Sequence, residues 1–411
     1  MVDFKHRVRF TAWDLVFGSV VGALAGAASA LFLGLLGGTL ALKDRHLGLI
    51  FLLPLFGLVS AWLYRRFGKE AEGGGSLILD EVLAFRGRVP TRMAPLVLIG
   101  TLLTHLGGGS AGREGTAVQM GAALARTVGK LPWRGLQLTE ARQRLLLMAG
   151  VSAGFGSLFG TPVAGALFGL EVIAIGKVHY EGLVICGVAS LVGDLVCRAL
   201  GAHHAAFAVQ ALPLSPGLGL QLLLFALPVA LVAGLFSELS HGLARRTKAW
   251  SQGRWYLRPL AGGLAILALH GLFRDPGYLN LGLPWLTRIF ETGAAVPPWA
   301  FALKGLFTCV TLGFGFKGGE VTPLFVIGAL LGAALAPLFG LPAPYLAAIG
   351  LIALFAAASN TPLASMVMGV ELFGAGFMAP LALTCFLAYV LVGHRGIYGA
   401  HRIHTPKPGH A

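Results

Sequence analysis

The sequence predicts an all-helical integral membrane protein made of two related halves, and three observations predict it. Of its 411 residues, 56% are hydrophobic and only 12% are charged, about half the charge of a soluble globular domain. Mean hydropathy is +0.78 over the whole chain, too high for one buried core, so lipid has to be part of the solvent. Two motif-sized stretches also recur, in the same order, in the second half of the chain.

The elements follow in order. The basic segment 5-KHRVR-9 leads into an apolar run over 11–42 with no clean cleavage site. It reads as a first membrane helix with a cytoplasmic N-terminus rather than a signal peptide. Further apolar runs fill 48–64, 94–108, 145–176, 182–200, 218–237, 260–273, 299–315, 324–358 and 363–393. Glycine or proline interrupts many of them, and several are too long or too short for a simple span of about 20 residues. Broken helices persist at membrane depth only where the freed backbone is buried or lines a cavity. That points to a transporter or channel. The 60 glycines suit close helix approach.

The net charge of +14 would suggest nucleic acid in a soluble protein. Here the basic residues fall between apolar runs, as in 134–144 and 245–258, and read as positive-inside loops. Cys186, Cys197, Cys309 and Cys385 lie in apolar stretches without metal spacing or pairing and are expected to be packed, reduced thiols. No cofactor, metal or nucleic-acid partner is expected.

The repeat is the most informative feature. Thr161, Pro162, Ala164, Gly169 and Glu171 recur at an offset of 200 as Thr361, Pro362, Ala364, Gly369 and Glu371. Gly112, Glu114 and Thr116 recur at an offset of 206 as Gly318, Glu320 and Thr322. One transmembrane domain over 1–411 is expected, with halves at roughly 10–200 and 215–400 and a short cytoplasmic tail at 401–411. Duplicated halves pack about a pseudo-two-fold axis with the substrate site between them. The sequence leaves open whether the halves are inverted.

The segment 107-GGGSAGREGT-116 satisfies G-x-G-x-x-G, but no strand precedes it and no βαβ unit surrounds it. A Gly-rich turn opening a helix still aims bare N–H groups and a positive dipole end at one spot, which is an anion site. The bland alternative is a close-packed helix crossing. Candidate anion-binding backbone is that of Gly112, Arg113 and Gly115, with Gly319 and Val321 in the second half. Ionised Glu114 at such a site would compete with the anion, and protonated it would leave, which links proton to anion movement; a plain helix cap is the alternative. The Arg113 side chain is expected to be a surface or loop partner, and Lys317 an interfacial charge. Thr322 can offer a hydroxyl to a small hard anion, and Glu320 adds a second titratable group. Glu171 and Glu371 could relay protons or cap helix ends between the halves, and their duplication favours capping. The stretch 150-GVSAG-154 matches a nucleophile elbow, but the α/β sheet which that elbow needs is absent from the pattern. An intramembrane hydrolase is therefore disfavoured, and the chain is read as a non-enzyme.

At these residues the chain resembles the CLC family of chloride channels and anion/proton antiporters, over about residues 10–400. The segment 112-GREG-115 resembles the family's GREGP motif, with Thr116 in place of Pro; 160-GTPVAGALFGLEV-172 and 318-GGEVTP-323 match two further family motifs. The resemblance implies an all-helical homodimer with two inverted halves of tilted, broken helices and one pore per subunit, and it makes Glu114 the gating glutamate. Chloride-selective members open the pore with GSGIP. The comparable stretch here is 73-GGGSL-77, with Gly75 or Ser76 as the nearest counterpart of the chloride-binding Ser. Val172 stands where exchangers carry an internal relay glutamate. These departures, with the GGEVTP segment, resemble the fluoride-exporting bacterial branch, and Tyr398 falls where the family has a late pore tyrosine. Tyr398 could equally be a membrane-interface aromatic. The resemblance therefore implies a fluoride/proton antiporter of the bacterial inner membrane, exporting fluoride. The alternative is a chloride/proton exchanger or chloride channel of the same fold.

Overall fold

The computed structural model describes residues 2–131, 138–204, 207–399 and 401–409, with side chains from Thr11 onward. The side chains of 5-KHRVR-9, residues 134–137 of the basic stretch, Ala400 and His410 lie outside what is described.

The helices among the described residues are α1 (Val2–Arg45), α2 (Leu53–Phe67), α3 (Gly74–Leu83), α4 (Met93–Leu106), α5 (Glu114–Lys130), α6 (Glu140–Phe159), α7 (Pro162–Glu171), α8 (Leu183–Ala199), α9 (Pro216–Ser251), α10 (Leu257–Phe273), α11 (Leu283–Phe290), α12 (Ala300–Gly313), α13 (Val321–Phe339), α14 (Ala343–Ser359), α15 (Pro362–Phe373) and α16 (Met378–Leu391). Two two-residue strands, β1 (Ala174–Ile175) and β2 (Arg402–Ile403), pair in parallel. Five segments are long and apolar enough to cross a membrane, beginning with Thr11–Arg45.

The long apolar runs break at defined chemistry. Gly160 ends α6 in the left-handed region at φ 71°, and Pro162 then opens α7. Asn360 ends α14 at φ 58°, with Pro362 opening α15. A left-handed cap followed by proline at the next helix start stops one helix and pre-sets another.

The breaks are packed by glycine. A Cβ on Gly121 of α5 would fall on the Gly150 carbonyl oxygen of α6, and one on Gly150 on that of Gly121. Gly328 of α13 and Gly350 of α14 meet in the same way. The apparent nucleophile elbow 150–154 is thus the middle of a buried helix, where Gly150 and Gly154 admit the backbone of α5.

The two halves cap each other. The Glu171 carboxylate, at the end of α7, accepts from the N–H groups of Leu363 (3.0 Å) and Ala364 (2.8 Å) at the start of α15. Glu371, near the end of α15, accepts from Val163 (3.0 Å) and Ala164 (2.8 Å) at the start of α7. The pair therefore runs antiparallel, each helix supplying the cap the other lacks. This geometry is the capping role that duplication favoured.

One expectation needs correcting. Residues 245–251 are not loop but the last turns of α9, and the chain turns only at Gln252 (φ 45°) and Gly253 (φ 79°). The 36-residue α9 is roughly 54 Å long, longer than the apolar core of a bilayer. The described part of the segment after 400 packs against the body of the protein. β2 pairs with β1, the His401 imidazole bonds the Val172 carbonyl (2.7 Å), and the Lys407 ammonium bonds Asn360 Oδ1 (2.5 Å) and the Tyr389 carbonyl (2.6 Å). A buried ammonium needs such acceptors, and Asn360 and the end of α16 supply them.

Replacing Glu171 with Ala orphans two N–H groups and should cost about 2–3 kcal/mol. The more exposed Glu371 should cost less in the same substitution, its bonds being partly screened by solvent. Thermal unfolding of the detergent-solubilised protein measures both, and an unchanged midpoint for Glu171→Ala would contradict the capping role.

Candidate functional site

The starts of α5 and α13 face each other. The Gly112 N–H donates to the Gly319 carbonyl (2.6 Å), and the Gly319 N–H donates to the Gly112 carbonyl (2.9 Å). This two-bond antiparallel bridge sits one residue before each N-cap, Arg113 and Glu320. Two positive helix ends are thereby held against one point.

Glu114 fills that point. It is 2% exposed. Its Oε1 accepts from the Val321 N–H at 2.6 Å, and its Oε2 accepts from the Thr322 hydroxyl at 2.8 Å and the Arg113 N–H at 2.9 Å. These are short, charge-assisted bonds of the kind made to an ionised acceptor. A Cβ on either Gly112 or Gly319 would overlap the Glu114 carboxylate. Glycine is required at both positions because the carboxylate lies where a side chain would start.

The expected donor set needs correction. The N–H groups of Gly112 and Gly319 bond each other's carbonyls instead of facing the site; Val321 and Arg113 supply the backbone donors. Gly115 stands against Gly319, where a Cβ would come within 3.2 Å of its Cα. The Arg113 side chain is not a surface partner. Its guanidinium lies 5.9 Å from the Phe159 ring centroid, a cation–π contact, beside a cavity of about 60 Å³ that also touches Thr322, Phe325 and Phe373. Lys317 is folded inward too, with its ammonium 4.0 Å from the Tyr64 ring centroid and its stem against Gly100.

Glu320, the N-cap of α13, is half-buried and makes no hydrogen bond or ion pair to another side chain among the described residues. Tyr398 is half-buried, packs edge-on to His401 at 5.1 Å between ring centroids, and lies within electrostatic reach of Glu320 and Glu114. Gly75 and Ser76 follow Gly74 (φ 51°) in the first turn of α3, and Gly74 faces Gln119 of α5. Neither Gly75 nor Ser76 is hydrogen-bonded to Glu114 among the described residues. Thr116, in the place of a family proline, bonds Thr101 of α4 hydroxyl to hydroxyl at 2.6 Å, a link proline cannot make.

Sequence reasoning missed Lys304. It is fully buried on α12, and its ammonium donates to Ser110 Oγ (2.9 Å) and the carbonyls of Tyr278 (3.1 Å) and Asn280 (2.8 Å). It pins the turn that delivers Gly112 to the bridge. A lone lysine inside the 299–315 apolar run was the available signal, since a charge at that depth persists only when fully bonded.

Broken helices with antiparallel reciprocal caps, and two positive ends converging on one buried carboxylate, are the architecture of a membrane transport protein. The chain belongs to the voltage-gated chloride channel (CLC) family, whose sequence pattern matches residues 56–393. It is similar to the chloride/fluoride channel protein of Pseudomonas syringae pv. tomato, 44% identical over 410 residues, 96% of this chain and 88% of that one. It is also similar to the H(+)/Cl(-) exchange transporter ClcA of Yersinia pestis, 28% identical over 84% of this chain and 75% of that one. Its fold superposes on that of a CLC-type fluoride/proton antiporter with a TM-score of 0.91 and 33% identity, covering 95% of this chain and 98% of that one. A slow cyanobacterial Cl-/H+ antiporter shares the fold, at a TM-score of 0.76 and 20% identity over 94% of this chain and 96% of that one.

Gly319→Ala would place a methyl group on the Glu114 oxygen site, excluding carboxylate and anion alike. Anion efflux from liposomes should fall at least about tenfold, equivalent to ~1.4 kcal/mol. Unaltered efflux would show that ions pass elsewhere.

Proposed function

We propose that the protein is a fluoride/proton antiporter that exports fluoride across a bacterial cytoplasmic membrane. The observation that carries this reading is the grip on Glu114: two N–H groups and one hydroxyl converge on a buried carboxylate between two helix N-termini. Ionised, Glu114 occupies an anion site. Protonated, it loses the charge that holds it there and can swing away, and an anion takes its donors. Each departure of the carboxylate thus brings in a proton, and each return expels an anion.

Fluoride suits these donors better than a larger halide. It is small, strongly hydrated and basic, so it needs short hydrogen bonds to replace its water, and the Thr322 hydroxyl and Val321 N–H are set for bonds of 2.6–2.8 Å. The relatives named for chloride/fluoride transport and fluoride/proton antiport support the same choice. Glu320, beside Glu114 at the head of α13, is the candidate second proton carrier, with the Tyr398 hydroxyl near both. A chloride/proton exchanger is the second reading, favoured by the exchange-transporter relative. The same proposal places two inverted halves at about 10–200 and 215–400 within one domain, two subunits in a dimer with a pathway each, and both termini in the cytoplasm. The reciprocal Glu171 and Glu371 caps support the halves.

The test is efflux from liposomes loaded with fluoride or chloride while external pH is recorded. Fluoride efflux with opposed proton uptake and little chloride efflux is expected. In Glu114→Ala, fluoride should still leave but without proton uptake. Chloride efflux equal to or faster than fluoride efflux would overturn the selectivity.

A further inference from the structure

An apolar groove of about 830 Å³ runs between α9 and α12. Its walls are helical stripes: Leu235, Leu239 and Gly242 on α9, and Ala302, Gly305 and Cys309 on α12. The α9 segment is long and apolar enough to cross a membrane, so the groove opens toward lipid.

Two features show that the groove is kept open. Gly242 and Gly305 both line it, yet neither is needed for close packing. A Cβ on Gly242 would meet nothing within 4 Å, and one on Gly305 would come no nearer than 3.8 Å to Ile327. This contrasts with Gly121 and Gly150, where a Cβ would strike backbone. Glycine inside a helix costs stability relative to alanine, so two unforced glycines along one groove keep space for something outside the chain.

Charge identifies the occupant. Glu238, on the groove wall, is paired with Arg395 at 2.8 Å. Arg245 and Arg246, at the basic end, are exposed and have no ion pair among the described residues. The rim therefore carries two uncompensated guanidinium groups above an apolar trough. From Leu235 to Arg246 is about 16 Å at 1.5 Å per residue, and one leaflet contributes about 15 Å of hydrocarbon. Guanidinium is matched to phosphate oxygens.

We propose that this groove binds one anionic phospholipid per subunit, its phosphate on Arg245 and Arg246 and one acyl chain along the trough. The inner wall includes Cys309 and Ile327, so the acyl chain rests against α13, the helix whose start holds Glu114. Lipid occupancy thereby supports the packing of α12 on α13. This inference goes beyond the transport reading and is independent of which anion is carried.

The test is native mass spectrometry of the detergent-solubilised full chain mixed with phosphatidylglycerol or phosphatidylcholine. The wild-type protein should retain one phosphatidylglycerol per subunit and little phosphatidylcholine. Arg245→Gln/Arg246→Gln should weaken retention roughly thirtyfold, about fivefold for each basic residue at an anionic surface. Gly305→Leu, and separately Gly242→Leu, should abolish retention while the unfolding midpoint does not fall, because both fill open space. Equal retention of the two lipids, or retention that survives both leucine variants, overturns the proposal. So does a leucine variant that splits a dimer without changing bound lipid, which would make the groove a subunit interface.

Discussion

Two helix N-termini pointed at each other across a membrane interior repel, because each carries a partial positive charge and the surroundings screen poorly. Here the reciprocal bonds between Gly112 and Gly319 enforce that arrangement. The arrangement is stable only with negative charge between the ends, and Glu114 supplies it. On the proposed mechanism the site demands one anion at all times, met either by the protein's own carboxylate or by a dissolved ion. In the proposed antiport, exchange of one for the other converts a static cap into a transport step.

The rest of the structure serves that contact. Glycine pairs at 121 with 150 and at 328 with 350 bring α5 and α13 close to their neighbours α6 and α14, which fixes both helix axes. Lys304 anchors the turn ahead of Gly112 through Ser110 and two carbonyls. Glu171 and Glu371 use the same chemistry as Glu114, a carboxylate on bare N–H groups, but for a structural end. Each accepts two N–H groups from the opposite half's helix, and no converging second helix end asks for an anion there. The Glu171 and Glu371 contacts therefore hold the halves together, and in the proposed mechanism only Glu114, at the bridge, competes with an ion.

Much of this was legible in the sequence because it is local or repeated. The repeat offsets, the helix-breaking Gly160-Thr161-Pro162 and its partner at 360–362, and a glutamate opening a glycine-rich turn all lie within a few residues of one another. What was misread is non-local. That Gly112 and Gly319 spend their N–H groups on each other depends on a pairing across 207 residues, and glycine spacing alone cannot distinguish an N–H aimed at an ion from one aimed at a carbonyl. Arg113 and Lys317 looked like surface charges because charge alone argues for exposure, whereas aromatic rings at 159 and 64 hold them inside. Residues 245–251 looked like loop because they are polar, but a helix leaving the apolar layer can remain a helix. The packing of 401–409 was not legible because its strand has only two residues, too short for any periodic signal. Only the comparison with GSGIP tied Gly75 and Ser76 to the site, and the structure places them in the first turn of α3 without a hydrogen bond to Glu114 among the described residues.

The central claim is that carboxylate and fluoride take turns on the same donors, and proton exchange on fluoride binding tests it most directly. Linkage is reciprocal: if protonation empties the site for the anion, anion binding must draw in a proton. Weakly buffered, detergent-solubilised protein titrated with fluoride near neutral pH should raise the pH of the solution, and Glu114→Gln should bind fluoride without doing so. Fluoride binding by the wild-type protein with no proton uptake would contradict the account, because the anion would then occupy a place the Glu114 carboxylate never held.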